Sequence, residues 1–187
     1  MGGRGTSVGH KLWGKEGRGH KAVPDLPAKM NKMYNGNEMS ISNTVSVFER
    51  EHANSDTEHL IAYDDNGFVS TYTHGGKGAV GFTKEQVAGK HVIHNHPNGS
   101  HFSKTDLKNL STTGEKSITA TSEITRIRFT AEKTNKFDAK GWAKALDKAS
   151  TKVNVDSVEA YNAAVHEWMS ENAPKYGVKY TREKWGK

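Results

Sequence analysis

An α/β fold is predicted for this chain of 187 residues, and three observations predict it. Short β-branched runs bounded by turn residues recur between Glu58 and Thr130. Capped helical stretches are interleaved among them. Two amphipathic helices then close the chain before Gly177. The length fits one domain with a tail. Only 33% of residues are hydrophobic and the mean hydropathy is -0.81, so the core is compact and part of the chain contributes little to it.

Residues 1–29 are rich in Gly, Lys and Arg, with Leu12 and Trp13 as the strong apolar anchors before Val23. They read as a flexible or partner-docked basic arm, with the domain proper over 30–187. A short helix or turn begins at Met30, and Asn35-Gly36-Asn37 is a turn signal. Ser40 to Val47 fits either a short strand or a helix. Glu58 to Tyr63 is a strand, and Asp64-Asp-Asn-Gly67 predicts a hairpin with a type I′ turn into Phe68–Thr73. Thr83 caps a short helix to Val87, with Gly89 beyond its end. His91 to His94 is a buried strand. Ser103 precedes a helix over Thr105 to Leu110, and Ser117–Thr121 with Thr125–Thr130 form an alternating strand pair. The closing helices span about Ala139 to Lys148, burying Trp142, Ala145 and Leu146, and about Asp156 to Lys175, burying Val158, Tyr161, Val165, Trp168 and Met169. Tyr176 to Tyr180 can add a final short strand, with a solvated basic end after it.

Cysteine is absent, which excludes disulfides and thiolate metal sites. No apolar run approaches a membrane span, and the N-terminus has no secretory signal pattern. The formal charge is +6 and the pI about 9.4. Six Lys/Arg against two acids in residues 1–30 put most of that excess in the arm, which makes nucleic acid a candidate contact there.

Chemistry concentrates in His94-Asn-His96-Pro-Asn-Gly-Ser-His-Phe-Ser103-Lys-Thr-Asp106. Alternate residues of a strand share a face, so His94 and His96 point together while Asn95 points away. Pro97-Asn98-Gly99 turns the chain, and Asp106 falls in the first turn of the next helix. Two imidazoles and a carboxylate suit zinc, with manganese or iron as alternatives. Ser103-Lys-Thr-Asp106 is also a capping box, compatible with a metal ligand at Asp106. A hydrolase further needs a base. Glu58, at the opening of the hairpin strand, is the first candidate, with Glu49 and Glu51 as rivals. The Ser103 hydroxyl is suited to stabilise an oxyanion. A nuclease of the His-Asn-His type spreads its residues over a ββα unit rather than one tripeptide, so that reading is disfavoured.

The set Glu58, His94-x-His96-Pro, Ser103-x-x-Asp106 resembles the JAMM (MPN/Mov34-type) metalloprotease motif, in its RadC-like and phage branch. The resemblance covers about Ser40 to Thr130. It implies a cytidine-deaminase-like α/β fold with a mixed sheet flanked by helices, a zinc ion, and peptidase or isopeptidase chemistry. His94, His96 and Asp106 would be ligands, Glu58 the general base and Ser103 the transition-state donor. Six residues separate His96 from Ser103, one fewer than the family's usual spacing. The expected protein is thus a zinc-dependent hydrolase of phage or prophage origin, in the host cytoplasm or on the virion. Its substrate would be a protein, either a ubiquitin-like conjugate or a viral structural protein. The alternative is a virion-associated interaction protein whose metal site is structural or vestigial. Thr73 to Gly81 and Ser100 to Phe102 are the segments expected to select substrate.

Overall fold

A computed structural model describes residues 26–36, 38–149 and 156–186. The arm before Leu26, with Trp13, and Asn37 of the first turn signal lie outside the described residues. Two helices come first, α1 (Ala28–Asn35) and α2 (Ile41–His52), then strands β1 (His59–Tyr63) and β2 (Val69–His74). A single helical turn α3 (Lys84–Val87) leads to β3 (His91–Asn95), α4 (Lys104–Thr112), β4 (Ser117–Ser122) and β5 (Ile127–Lys133). The chain closes with α5 (Ala139–Ala149), α6 (Val158–Asn172), a 3-10 turn (Ala173–Tyr176) and β6 (Val178–Lys184). The fold is α/β. No described helix is long and apolar enough to cross a membrane.

One six-stranded sheet runs in the order β2-β1-β3-β4-β5-β6. It is mixed: β3 and β4 are parallel, and every other neighbouring pair is antiparallel. A parallel pair needs a crossover, which α4 supplies. Strand alternation divides the sheet's side chains between two clusters. Leu60, Ala62, Val92, Ile118, Ala120, Phe129 and Ala131 pack with the α3–α6 layer, including Leu107, Leu110, Trp142, Leu146, Tyr161, Val165 and Met169. Ile61, Tyr63, Val69 and Ile93 pack on the other face with Tyr34, Val45, Val47 and Phe48 of α1 and α2. Trp142, with no exposed surface, also donates its Nε1–H to the Leu107 carbonyl at 2.7 Å, which pins α5 to α4. Each such large buried side chain stabilises the fold by roughly 1.5–3 kcal/mol.

Of the two readings open over Ser40 to Val47 the structure has the helix, α2, running on to His52; several other expectations need correction. The Ser40 hydroxyl caps α2 by accepting the Asn43 N–H at 3.1 Å, so Ser40 marks a helix start rather than a strand. The hairpin forms where the turn residues place it, but it is not type I′. Asp65 and Asn66 keep negative φ, and only Gly67 is left-handed at φ 84. Gly67 N–H donates to Asp64 O at 3.0 Å, and the Asp64 Oδ1 accepts from Asn66 and Phe68 N–H, both at 2.9 Å. A Cβ at Gly67 would stand 2.4 Å from the Ser40 carbonyl carbon, so the turn docks the hairpin against the start of α2.

β4 does not alternate. All six of its residues are buried, because it lies inside the sheet with cover on both faces. Ala145, Val158 and Trp168 are half-buried rather than core. The last strand runs on through Lys184, pairing along the whole length of β5, so the basic end is partly sheet. Ala28 opens α1 and Leu26 packs on the second cluster.

Candidate metal centre

His94 lies near the C-terminal end of β3, on the face that also carries Val92 and the larger cluster. His96 follows the strand and is held to the neighbouring β4 by its N–H, which donates to Thr121 O at 2.8 Å. The chain then turns, with Gly99 N–H on His96 O at 3.0 Å and Gly99 at φ 76. Ser103 caps α4. Its hydroxyl accepts the Asp106 N–H at 3.1 Å, while Asp106 Oδ2 accepts both the Ser103 N–H and the Ser103 hydroxyl at 2.7 Å. The capping box read from sequence is therefore present, and it aims Asp106 at the end of β3.

The three expected ligands converge. His94 Nε2 and His96 Nε2 are 2.8 Å apart. His94 Nε2 lies 3.4 Å from Asp106 Oδ1, and His96 Nε2 lies 3.5 Å from Asp106 Oδ2. Donors arranged tetrahedrally at about 2.0–2.1 Å from one ion stand about 3.3–3.5 Å from one another. The two histidine–aspartate spacings have that length, each to a different oxygen of the carboxylate, and the histidine pair has to open by about half an ångström. All three side chains are at most 3% exposed. Among the described residues, His94, His96 and Asp106 form a buried group that can hold a metal ion.

Electrostatics favour a cation in this position. Burial alone would raise the Asp106 carboxyl, but the two imidazoles outweigh it and hold that carboxyl well below the usual range. Burial lowers His94. His96 behaves differently. Burial opposes its charge, yet the hydrogen bond and charge of Asp106, with Glu58 behind them, push it up to about 9. The carboxylate thus draws positive charge toward itself, and a divalent ion competes with a proton for the same place.

Glu58 is 1% exposed and immediately precedes β1. The antiparallel register pairs Leu60 with His94, and two more residues along that register set Glu58 opposite His96. Burial pushes its carboxyl up to about 8, against the pull of His96 and with the push of Asp106. Its Oε2 is buried without a hydrogen-bond partner among the described residues. A solvated strand-end carboxylate is thereby excluded. Glu49 and Glu51 are elsewhere. Glu49 is buried on α2 across the sheet, accepting from the Thr121 hydroxyl at 3.4 Å with Arg128 Nε at 3.6 Å. Glu51 is exposed and pairs with Arg50.

Two features escaped the sequence reading. Asn95 points away from the centre as strand alternation requires, but its amide grips the chain on both sides of Glu58. Its Oδ1 accepts the His59 N–H at 2.7 Å and its Nδ2 donates to Thr57 O at 3.0 Å. An asparagine closing a strand whose Val92-Ile93 run marks it as buried was the available signal, since a buried amide must bond something. The second feature is Ser100–Phe102, expected to select substrate. All three residues are buried, with His101 and Phe102 at zero exposure. The His101 ring stacks on Phe129 at 3.7 Å and bonds the Tyr180 hydroxyl at 2.7 Å, and that hydroxyl also meets His166 Nδ1 at 2.8 Å. The shortened loop is packed into the core and held by the C-terminal elements.

Comparison with protein-family models, with curated proteins and with solved structures finds no match to this chain.

Proposed function

We propose that this chain is a zinc-dependent hydrolase of the peptidase or isopeptidase class, built on a JAMM-type domain. The observation that carries the reading is Glu58, a buried carboxyl whose Oε2 has no hydrogen-bond partner among the described residues, on the same sheet face as two histidines that, with Asp106, can hold one ion. A mixed sheet with helices on both faces, and a centre at the C-terminal end of β3, are in keeping with a cytidine-deaminase-like fold. Zinc suits the donor set because two imidazoles and one carboxylate leave a fourth position free.

His94, His96 and Asp106 hold the ion, which supplies Lewis acidity toward water and toward an amide carbonyl. Glu58 would take the proton of the attacking water and return it to the leaving amine; burial raises its carboxyl, and a bound cation would favour the carboxylate form that the first transfer needs. Ser103 reaches an oxyanion only by turning its hydroxyl away from Asp106 Oδ2, which keeps its bond from the Ser103 N–H. The substrate would be a protein, a ubiquitin-like conjugate or a viral structural protein. A phage or prophage setting, in the host cytoplasm or on the particle, follows from the motif resemblance.

The completeness with which the three donors are buried favours one competing reading, a closed structural metal site in a virion-associated protein. Elemental analysis and a panel of amide-linked and isopeptide-linked fluorogenic probes separate the two. The hydrolase reading expects stoichiometric zinc in wild-type protein and in Glu58→Gln, with turnover lowered roughly 100-fold or more in the variant. Zinc without turnover on any probe supports the structural site, and protein purified without stoichiometric metal sinks both.

A further inference from the structure

The loop between His96 and Ser103 is fastened by a residue 63 positions away from it in the chain. We infer that Asn162 of α6 is a positioning residue for the metal centre, acting through the Ser100–His101 peptide on the His96 ring; this rests on the metal reading above.

His96 Nδ1 donates to the Ser100 carbonyl at 2.9 Å, which leaves Nε2 directed at His94 and Asp106. That carbonyl belongs to the same planar peptide as the His101 N–H. The His101 N–H donates to Asn162 Oδ1 at 2.6 Å. The opposite ends of one rigid group therefore hold a ligand histidine and a helix side chain, and the group cannot rotate without breaking both bonds. The second arm of the amide, Asn162 Nδ2, donates to Gly99 O at 2.9 Å. The orientation of the amide is not in doubt, because one partner only donates and the other only accepts.

Gly99 is left-handed, and a Cβ there would press on Ile124 at 3.2 Å, so the turn has little slack of its own. The adjacent Tyr161 sets the height of α6 against the loop, since its hydroxyl donates to Phe102 O at 2.6 Å. The Tyr161 hydroxyl bonds a different peptide, the one that joins Phe102 to Ser103. Hydrogen bonds in series through a peptide polarise one another, so Asn162 also strengthens the acceptor that His96 meets. Outer partners of this kind fix which imidazole nitrogen faces the metal, and their loss typically weakens binding about 10–100-fold.

The test measures zinc affinity by competition with a chromophoric chelator for wild type, Asn162→Ala, Asn162→Asp and Tyr161→Phe. Metal-free thermal midpoints and the His96 Nδ1–H resonance in long-range ¹H–¹⁵N NMR are recorded alongside. Asn162→Ala is expected to bind zinc roughly tenfold more weakly and to lose exchange protection of the Nδ1–H. Asn162→Asp keeps the acceptor for His101 and should fall between the two. Tyr161→Phe should lower the thermal midpoint while keeping zinc affinity and the protected proton. A residue that merely braces the fold would instead make affinity track the thermal midpoint across all variants. Wild-type affinity together with a protected Nδ1–H in Asn162→Ala overturns the inference. Should wild-type protein bind no zinc, the metal reading fails and the NMR arm alone decides whether Asn162 positions His96.

Discussion

Glu58 and Glu49 are both buried carboxyls, on opposite faces of one sheet, and both are raised above their ordinary value of 4.5. Burial is the largest cause in each case. Their partners separate them. Glu49 has Arg128 and the Thr121 hydroxyl within about ion-pair and hydrogen-bond reach, and its carboxyl rises only to about 7. Glu58 has an oxygen with no hydrogen-bond partner among the described residues, feels the charges of His96 and Asp106, and rises to about 8. Burial by itself therefore does not mark a catalytic carboxyl. What sets Glu58 apart is that its Oε2, without a hydrogen-bond partner among the described residues, shares a face with the His94–His96–Asp106 group that can hold a metal ion.

The largest effect expected is on metal binding. His94→Ala removes a ligand but leaves the Ser103–Asp106 cap intact, so the fold should survive. Zinc affinity should fall by more than the roughly 10–100-fold typical of outer partners, while Glu49→Gln leaves affinity unchanged. Chelator competition on both variants checks this. Equal loss in the two would mean that the faces are not functionally separate.

Next in size is the effect of pH on the metal-free protein. A folded-state pKa above the ordinary value means that each carboxyl favours folding most when protonated. Its contribution is fully present below about pH 4.5 and is lost as pH rises through about 7 for Glu49 and about 8 for Glu58. Replacement by Gln removes the loss. In urea denaturation, Glu58→Gln should gain roughly 2–4 kcal/mol over wild type between pH 4 and pH 9, and Glu49→Gln roughly 1–3 kcal/mol. Added zinc should shrink the first gain, because a nearby cation favours the Glu58 carboxylate, and leave the second untouched. A zinc effect on Glu49→Gln alone would reverse the assignment of the two faces.

This asymmetry was only partly legible in the sequence. His94, His96 and Asp106 could be read because their convergence is local. It needs a strand that alternates, a tight turn and a capped helix, all within thirteen residues. Glu58 was legible as the acid at the start of a strand, but separating it from Glu49 required knowing which face α2 covers, and no local pattern carries that. Ser40 to Val47 was ambiguous for a related reason. The run is short, and its Ser and Thr residues serve a cap and a long-range bond from Thr44 to Gly67 O rather than a strand face. The hairpin's position followed from Asp64 to Gly67, whereas its turn type was decided by the close approach of Gly67 to Ser40. Asn162 and the burial of Ser100–Phe102 depend on pairing with the last helix and strand, which nothing near the motif announces.

The smallest effect expected compares two of the serine caps, one on each side of the sheet. Ser40 caps α2 and Ser103 caps α4, each by accepting the N–H three residues on. Losing either hydroxyl should cost about 1 kcal/mol in denaturation. Ser103 has a second duty, since its hydroxyl also donates to Asp106 Oδ2 and so holds a ligand in place. Ser103→Ala should therefore weaken zinc binding roughly tenfold on top of the shared stability loss, whereas Ser40→Ala should leave zinc binding at the wild-type level. Equal zinc affinity in the two variants would show that the Ser103 N–H alone suffices to hold Asp106, and would leave the hydroxyl free to face substrate.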